Sequence, residues 1–295
     1  MPAVERQGNA SRSFACESPI ARSPRRRREL PSIVLVGGRR ARIISLGMDA
    51  DSWLEQHATW TSQGDPPGED VSIVRQIVRE ALEDLAVEFE DAGGLELLSD
   101  VRLEVVVHGK PAAVVCNGET VHVGGGTALT CTGGRSAATI HILALSRHSP
   151  TAHTNVGEPM DRAYFHKTLV HEISILFLWR ITRQKVTGWG LWTAPRWFYD
   201  GYEDYLSLIR STPHSREVTL PKYRARAQMN LAAGAPVDVY VQGALILEYM
   251  HERFGHAKLV SLLRSEQPTF ARALRATLGC DEVALLDGWR AWMKS

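Results

Sequence analysis

The stretch that most constrains this chain is "LVHEISILFLW", residues 169–179. From Met160 onward, "MDRAYFHKTLVHEISILFLWRITRQ" has helical spacing, and its second half is apolar on most sides. A helix of that kind does not lie on a surface; neighbouring elements must cover it nearly all round. The rest of the chain has to supply those neighbours. It also has to accommodate His171 and Glu172, the polar pair near the start of the run.

Upstream, Val71 to Phe89 carries Val71, Val74, Ile77, Val78, Leu82, Leu85 and Phe89 at helical spacing, with Glu and Arg on the other face and "AGG" as a stop. "VRLEVVV" (101–107) reads as a β-branched strand. "AAVVC" and "ETVHV" read as two strands split at Asn117-Gly118, a strong hairpin turn. "ATIHILAL" (138–145) is a further strand, and a Ser/Pro/Gly-containing loop leads to Met160. Downstream, "TGWGLWTAPRW" is a loop and "RWFYDGYEDYLSLIR" a second helix. Residues 236–264 and 268–278 read as further helices before a closing "LLDGWRAWM". Helix, strands, then helices is the α+β pattern. It predicts a small, mostly antiparallel sheet over 46–160 and a helical part over 161–295, the two forming one unit. No internal repeat is present.

Residues 1–45 differ in kind. "SRSFACESPIARSPRRRREL" is rich in Ser, Arg and Pro with little apolar periodicity, which predicts a disordered basic tail. Its run Arg25–Arg28 is either a solvated segment, a contact for nucleic acid or phospholipid, or a localisation signal. Met48 is an alternative first residue. The formal net charge of +1 gives the chain no global pull toward nucleic acid or anionic membranes. No apolar run approaches the roughly 18–20 residues of a membrane span, and "IVLV" is too short for a signal core. A cytoplasmic protein with no membrane partner is expected. The four cysteines form no CxxC pair. Cys116 and Cys131 flank the hairpin and are bridgeable in an oxidising compartment, but reduced thiols are the expectation.

On a helix, residues i and i+4 lie one above the other. In HExxH this lets two imidazoles reach one zinc ion while the glutamate polarises the metal-bound water. Here His171 and Glu172 fill the first two places, and Ile175 stands where the second histidine belongs. Further on, "APRWFYDGYEDYLS" (194–207) resembles the second helix of the gluzincin metallopeptidases, in particular the peptidase MA-like group. Their pattern there is Pro-x-Trp-x-x-Glu-Gly-x-Ala-Glu-Tyr. The resemblance continues through "YVQGALILEYMHERFGHAKLVSLL" and "ALRATLGCDEVALLDGWRAWM", and covers about residues 70–293. It implies a zincin-like fold, with a sheet whose edge strand holds extended peptide or protein substrate, and zinc as cofactor. By position it makes His171 and Asp200 metal ligands, Glu172 the general base, Asp204 a carboxylate behind the ligands, and Tyr240 a phenol facing the scissile carbonyl.

The ligand set is incomplete, since zinc sites keep three or more protein ligands. His166 lies about 140° around the helix from His171 and points elsewhere. Ser174 is a weak ligand on the wrong face, and His141, His148 and His153 would have to swing in from before the helix. Glu172 is therefore either a base on metal-bound water or a buried carboxylate partnered by His171 or an arginine. Asp200 is either a ligand or a surface carboxylate or helix cap, and Tyr240 either a catalytic phenol or a boundary aromatic. Three functions follow: a peptidase MA-like pseudoenzyme that binds peptide, an active zinc hydrolase with a substitute ligand, or a non-enzymatic interaction protein using its basic tail. "GGGT" and "CTGGRS" lack the Lys-Ser/Thr of a phosphate loop, and no Gly-x-Ser-x-Gly elbow is present. Trp189, Trp192 and Trp197 are expected to wall the cleft or core.

Overall fold

Asp49 opens the first element: its carboxylate accepts from the Ser52 amide at 2.8 Å, capping helix α1 (Ala50–His57). The computed structural model describes residues 48–116, 118–123, 128–133, 136–148, 160–183, 188–210, 213–232 and 238–295. The basic tail, Asn117 and His153 lie outside the described residues.

α1 runs into strand β1 (Ala58–Gln63), then helix α2 (Gly68–Glu88). Val74, Ile77, Val78, Ala81, Leu82 and Leu85 form the buried stripe of α2, as the spacing predicts. Past its end the chain turns through Gly93 and Gly94, both at positive φ (116° and 55°), a conformation glycine adopts at little cost. Strands β2 (Arg102–His108), β3 (Ala112–Cys116), β4 (Glu119–Val123), β5 (Ala128–Gly133) and β6 (Ala137–Leu143) follow.

The fold is α+β, but the sheet departs from expectation. The main sheet has the order β1-β2-β6-β5, with β1–β2 and β2–β6 parallel and only β5–β6 antiparallel. Two features produce this. β1, a short threonine-containing strand, is joined to β2 by the α2 crossover, and such a connection suits parallel neighbours. β3 and β4 do pair as an antiparallel hairpin, but they make a separate two-stranded sheet rather than joining the main one.

The two faces of the sheet differ in character. Leu103, Val105, Val107, Ala138, Ile140 and Ile142 point into the core. On the other face, Glu104 accepts from Thr61 (3.0 Å) and Thr139 (3.5 Å), and His108 Nε2 lies 3.1 Å from His141 Nδ1. A disulfide joins Cys116, at the end of β3, to Cys131 in β5, with Cα atoms 5.3 Å apart. The expectation of reduced thiols is thus corrected: the hairpin folds back over the sheet and brings the two Cα atoms within the range a disulfide spans.

Helix α3 (Arg162–Arg183) is the apolar helix, and Leu169, Val170, Ile173, Leu176, Phe177 and Leu178 are buried around it. Phe177 stacks on Phe89, which follows α2, at 5.4 Å. Then come α4 (Arg196–Arg210), α5 (Pro213–Ala232), α6 (Val241–Phe254), α7 (His256–Leu263), α8 (Phe270–Leu278) and α9 (Glu282–Trp292). α4 and α6 cross at a glycine pair. A Cβ on Gly201 would lie 2.5 Å from the Gly243 carbonyl carbon, and one on Gly243 would lie 2.5 Å from the Trp197 oxygen. This contact brings the start of α6 close to the middle of α4. No helix among the described residues is long and apolar enough to cross a membrane.

Candidate functional site

His171 leaves α3 toward α4, and there both ring nitrogens are taken. Nδ1 is 2.9 Å from Asp204 Oδ1, and Nε2 is 3.1 Å from Glu203 Oε2. Glu203 and Asp204 are neighbours on α4, so one imidazole spans two consecutive carboxylates. Asp204 is held further by the Tyr223 hydroxyl, which donates at 3.1 Å from α5. Lys167, one turn before His171 on α3, is buried with its ammonium 5.4 Å from the Tyr223 ring centroid.

These contacts set the proton affinities. Burial alone would lower the His171 pKa, but hydrogen bonds to Asp204 and Glu203 outweigh it and hold the imidazolium well above its usual range. Burial pushes Glu203 up to about 7, against the opposing pull of His171. Burial also acts to raise Asp204, yet the hydrogen bond and charge of His171 leave it below the ordinary aspartate value. The three groups form a coupled set, with an imidazolium between two carboxylates of unequal acidity.

Asp200 lies one turn before Glu203 and is 8% exposed. Its Oδ2 accepts from Arg196 Nη2 at 2.8 Å and Nε at 3.0 Å. It is neither a surface carboxylate nor a helix cap, because it sits in mid-helix beside the glycine crossing. Burial raises its pKa despite the guanidinium. Glu172 is likewise raised by burial, and Thr130 of β5 hydrogen-bonds its carboxyl while donating to its backbone carbonyl at 3.1 Å. Thr130 pairs across the sheet with Ile140, so α3 meets the sheet on its core side.

Tyr240 stands at the entrance to α6. Asp238 fixes it there by accepting from the Tyr240 and Val241 amides (3.1 and 3.0 Å), while the Gln242 side chain accepts from the Asp238 amide at 2.7 Å. The Tyr240 ring is 6.4 Å from that of His171 and remains 46% exposed. Trp192, 51% exposed, packs edge-on against Tyr199 at 5.5 Å. Trp189 and Trp197 are buried around Phe198 and Phe270.

A zinc ion implied by the His-Glu helix does not fit this donor set. Ile175 is apolar and buried, Asp200 is committed to Arg196, and the second nitrogen of His171 is committed to Glu203. Among the described residues no group of three histidine, cysteine or carboxylate side chains is placed to hold a metal ion. Of the candidate replacements, neither His141 nor His148 supplies the missing ligand. His141 pairs with His108 on the far face of the sheet, and His148 lies against Phe165. His166 turns away to Asp84, at 3.3 Å.

Sequence reasoning assigns His171, Glu172, Asp200, Asp204 and Tyr240 to one neighbourhood, and all five lie on the elements that meet here. It misses Glu203, Arg196, Lys167 and Tyr223. For Lys167 a signal exists: it precedes His171 by four residues and so shares its face. No protein-family profile, curated protein or solved structure matches the chain.

Proposed function

We propose that this chain is a peptidase MA-like protein that binds an extended peptide beside β5 without hydrolysing it. The observation that carries the reading is the engagement of His171 on both nitrogens by Glu203 and Asp204, with Ile175 one turn on. In a working zincin one imidazole nitrogen must face the metal, and the other donates to a carboxylate. Asp204 suits the second role. The first nitrogen has a carboxylate in front of it, so the catalytic half of the arrangement is missing while the scaffold half persists.

The peptide-binding half rests on the sheet. β5 is an edge strand, and an edge strand offers main-chain groups to an added strand while pockets read alternate side chains. Thr130 links it to the backbone of Glu172. Tyr240, Tyr199 and Trp192 supply aromatic surface on the helical side, as does the neighbouring Arg196–Asp200 pair a polar contact. Aromatic surface of this kind gives contact area at low conformational cost.

The test uses a degenerate library of unstructured ten-residue peptides, with mass spectrometry for cleavage and hydrogen exchange for binding. Slowed exchange in residues 128–133 is expected, with no new peptide ends when zinc is added. Cleavage that a chelator abolishes would overturn the reading. So would binding that spares β5 and maps to the basic tail.

A further inference from the structure

We infer that Glu203 takes the metal's place as the tie between α3 and α4. This rests on the peptidase MA-like reading of the chain. In a zinc site the ion cross-links the helix carrying the histidine to the helix carrying the acidic ligand. Here the same two helices are cross-linked through His171, whose Nε2 meets Glu203 at 3.1 Å while Nδ1 meets Asp204 at 2.9 Å.

Three observations bear on Glu203 in particular. In the gluzincin pattern Pro-x-Trp-x-x-Glu-Gly-x-Ala-Glu-Tyr, the position occupied by Glu203 is alanine, too short to reach the imidazole. A glutamate there is the residue type that extends a carboxylate into the space in front of Nε2. Second, Glu203 is 7% exposed, so its carboxylate is directed inward where a charge is costly without a partner. Third, each of these carboxylates meets a side chain of the protein itself. The His171 imidazole lies between Glu203 and Asp204, and the Arg196 guanidinium pairs with Asp200.

The missing ligand at Ile175 and the added carboxylate at Glu203 are then two halves of one change. Removing a ligand alone would leave an imidazole nitrogen enclosed without a partner, which buried polar groups do not tolerate cheaply. Glu203 supplies that partner. It also means that replacing the lost ligand is not enough to restore metal, because Nε2 must first be released.

The experiment compares the full-length wild type with Ile175→His, Glu203→Ala and the double variant, each titrated with zinc against a competing chelator. The double variant is expected to bind one zinc per chain, at least tenfold more tightly than either single variant, and to melt higher with zinc than without. Glu203→Ala alone is expected to melt below wild type. If Ile175→His binds zinc as tightly as the double variant, Glu203 is no obstacle and the inference fails while the alignment stands. If the folded double variant binds none, even with Arg196→Ala added to free Asp200, the alignment fails and takes the proposed function with it. Should the double variant not fold, imidazole ¹⁵N spectra of Glu203→Gln decide instead. The Nε2 resonance of His171 must move while Nδ1 holds, and an unmoved Nε2 overturns the inference.

Discussion

Replacing Gly243 with alanine tests the contact on which the geometry of the site depends. The added methyl would sit 2.5 Å from the Trp197 carbonyl oxygen and 2.9 Å from the Gly201 Cα. Both partners are backbone atoms of α4, so no side chain can swing aside. Atoms in packed protein approach to about 3.5 Å, so the helices must separate by about 1 Å. Overpacking of this kind costs about 1–3 kcal/mol. The gain from placing alanine rather than glycine inside a helix offsets about 1 kcal/mol of it. Separation also loosens the buried packing of Phe198, Tyr202, Leu245 and Ile246 around the crossing, and lost core contacts add about 1 kcal/mol. The net expectation is a loss of about 2 kcal/mol, near the middle of the range for overpacked sites. With a urea slope of about 2 kcal/mol/M, the unfolding midpoint should fall by about 1 M. Gly201→Ala should behave alike, and the double variant should cost less than the sum, because both methyls press on one contact. Gly68→Ala is the control: nothing lies within 4 Å of the position its added methyl would take, so it should hold or gain stability. A Gly243→Ala midpoint at or above wild type would refute the glycine crossing.

Other outcomes follow from the same contacts. Glu203 is raised from 4.5 to about 7, so the folded state holds its proton more tightly than the unfolded state does, and its contribution is lost as pH rises through that window. The raised His171 acts in the same direction from 6.5 upward, whereas the lowered Asp204 contributes above 3.8 and is lost in acid. Urea midpoints should therefore decline from mildly acidic to alkaline pH, and Glu203→Gln should flatten the portion between 4.5 and about 7; an unchanged profile would count against the buried carboxylate. Reducing Cys116–Cys131, whose sequence separation is 15, should lower stability by about 3 kcal/mol on loop entropy, read as a midpoint shift with and without reductant. Trp192→Ala should weaken peptide binding several-fold while leaving the melting temperature within about 2 °C of wild type, since surface changes cost little; a large drop in melting temperature would show that the residue is structural.

What the sequence discloses, and what it hides, divides along the range of the interactions involved. α2 and α3 are legible because apolar spacing reports directly on the face a helix buries, and both are long enough for the pattern to repeat. β1 is not, because six residues containing two threonines, a serine and a glutamine carry no alternation strong enough to separate from a loop. α5 escapes for a similar reason: Pro213, Pro221 and its charges dilute the pattern, and tertiary contacts such as the Tyr223–Asp204 bond hold it in place. The disulfide depends on where the hairpin folds back, a matter of three-dimensional path that spacing alone does not encode.

The same division explains the site. Asp204 is readable from its place in a motif, but the identity of Glu203 as the second partner of His171 depends on how α4 is rotated toward α3. A helix advances about 100° per residue, so neighbours such as Glu203 and Asp204 reach a single imidazole only if the ring lies between their two directions. The glycine crossing is one of the constraints on that rotation, since Gly201 must face Gly243. With Gly201 turned to α6, Asp200, Glu203 and Asp204 share one face of α4, Glu203 and Asp204 reaching His171 while Asp200, one turn earlier, pairs with Arg196. The glycine in "DGYED" is thus more than a motif letter: it is a contact that helps set which carboxylates meet the histidine. A variant that displaces this crossing should disturb the His171 imidazole resonances even though neither glycine touches the ring.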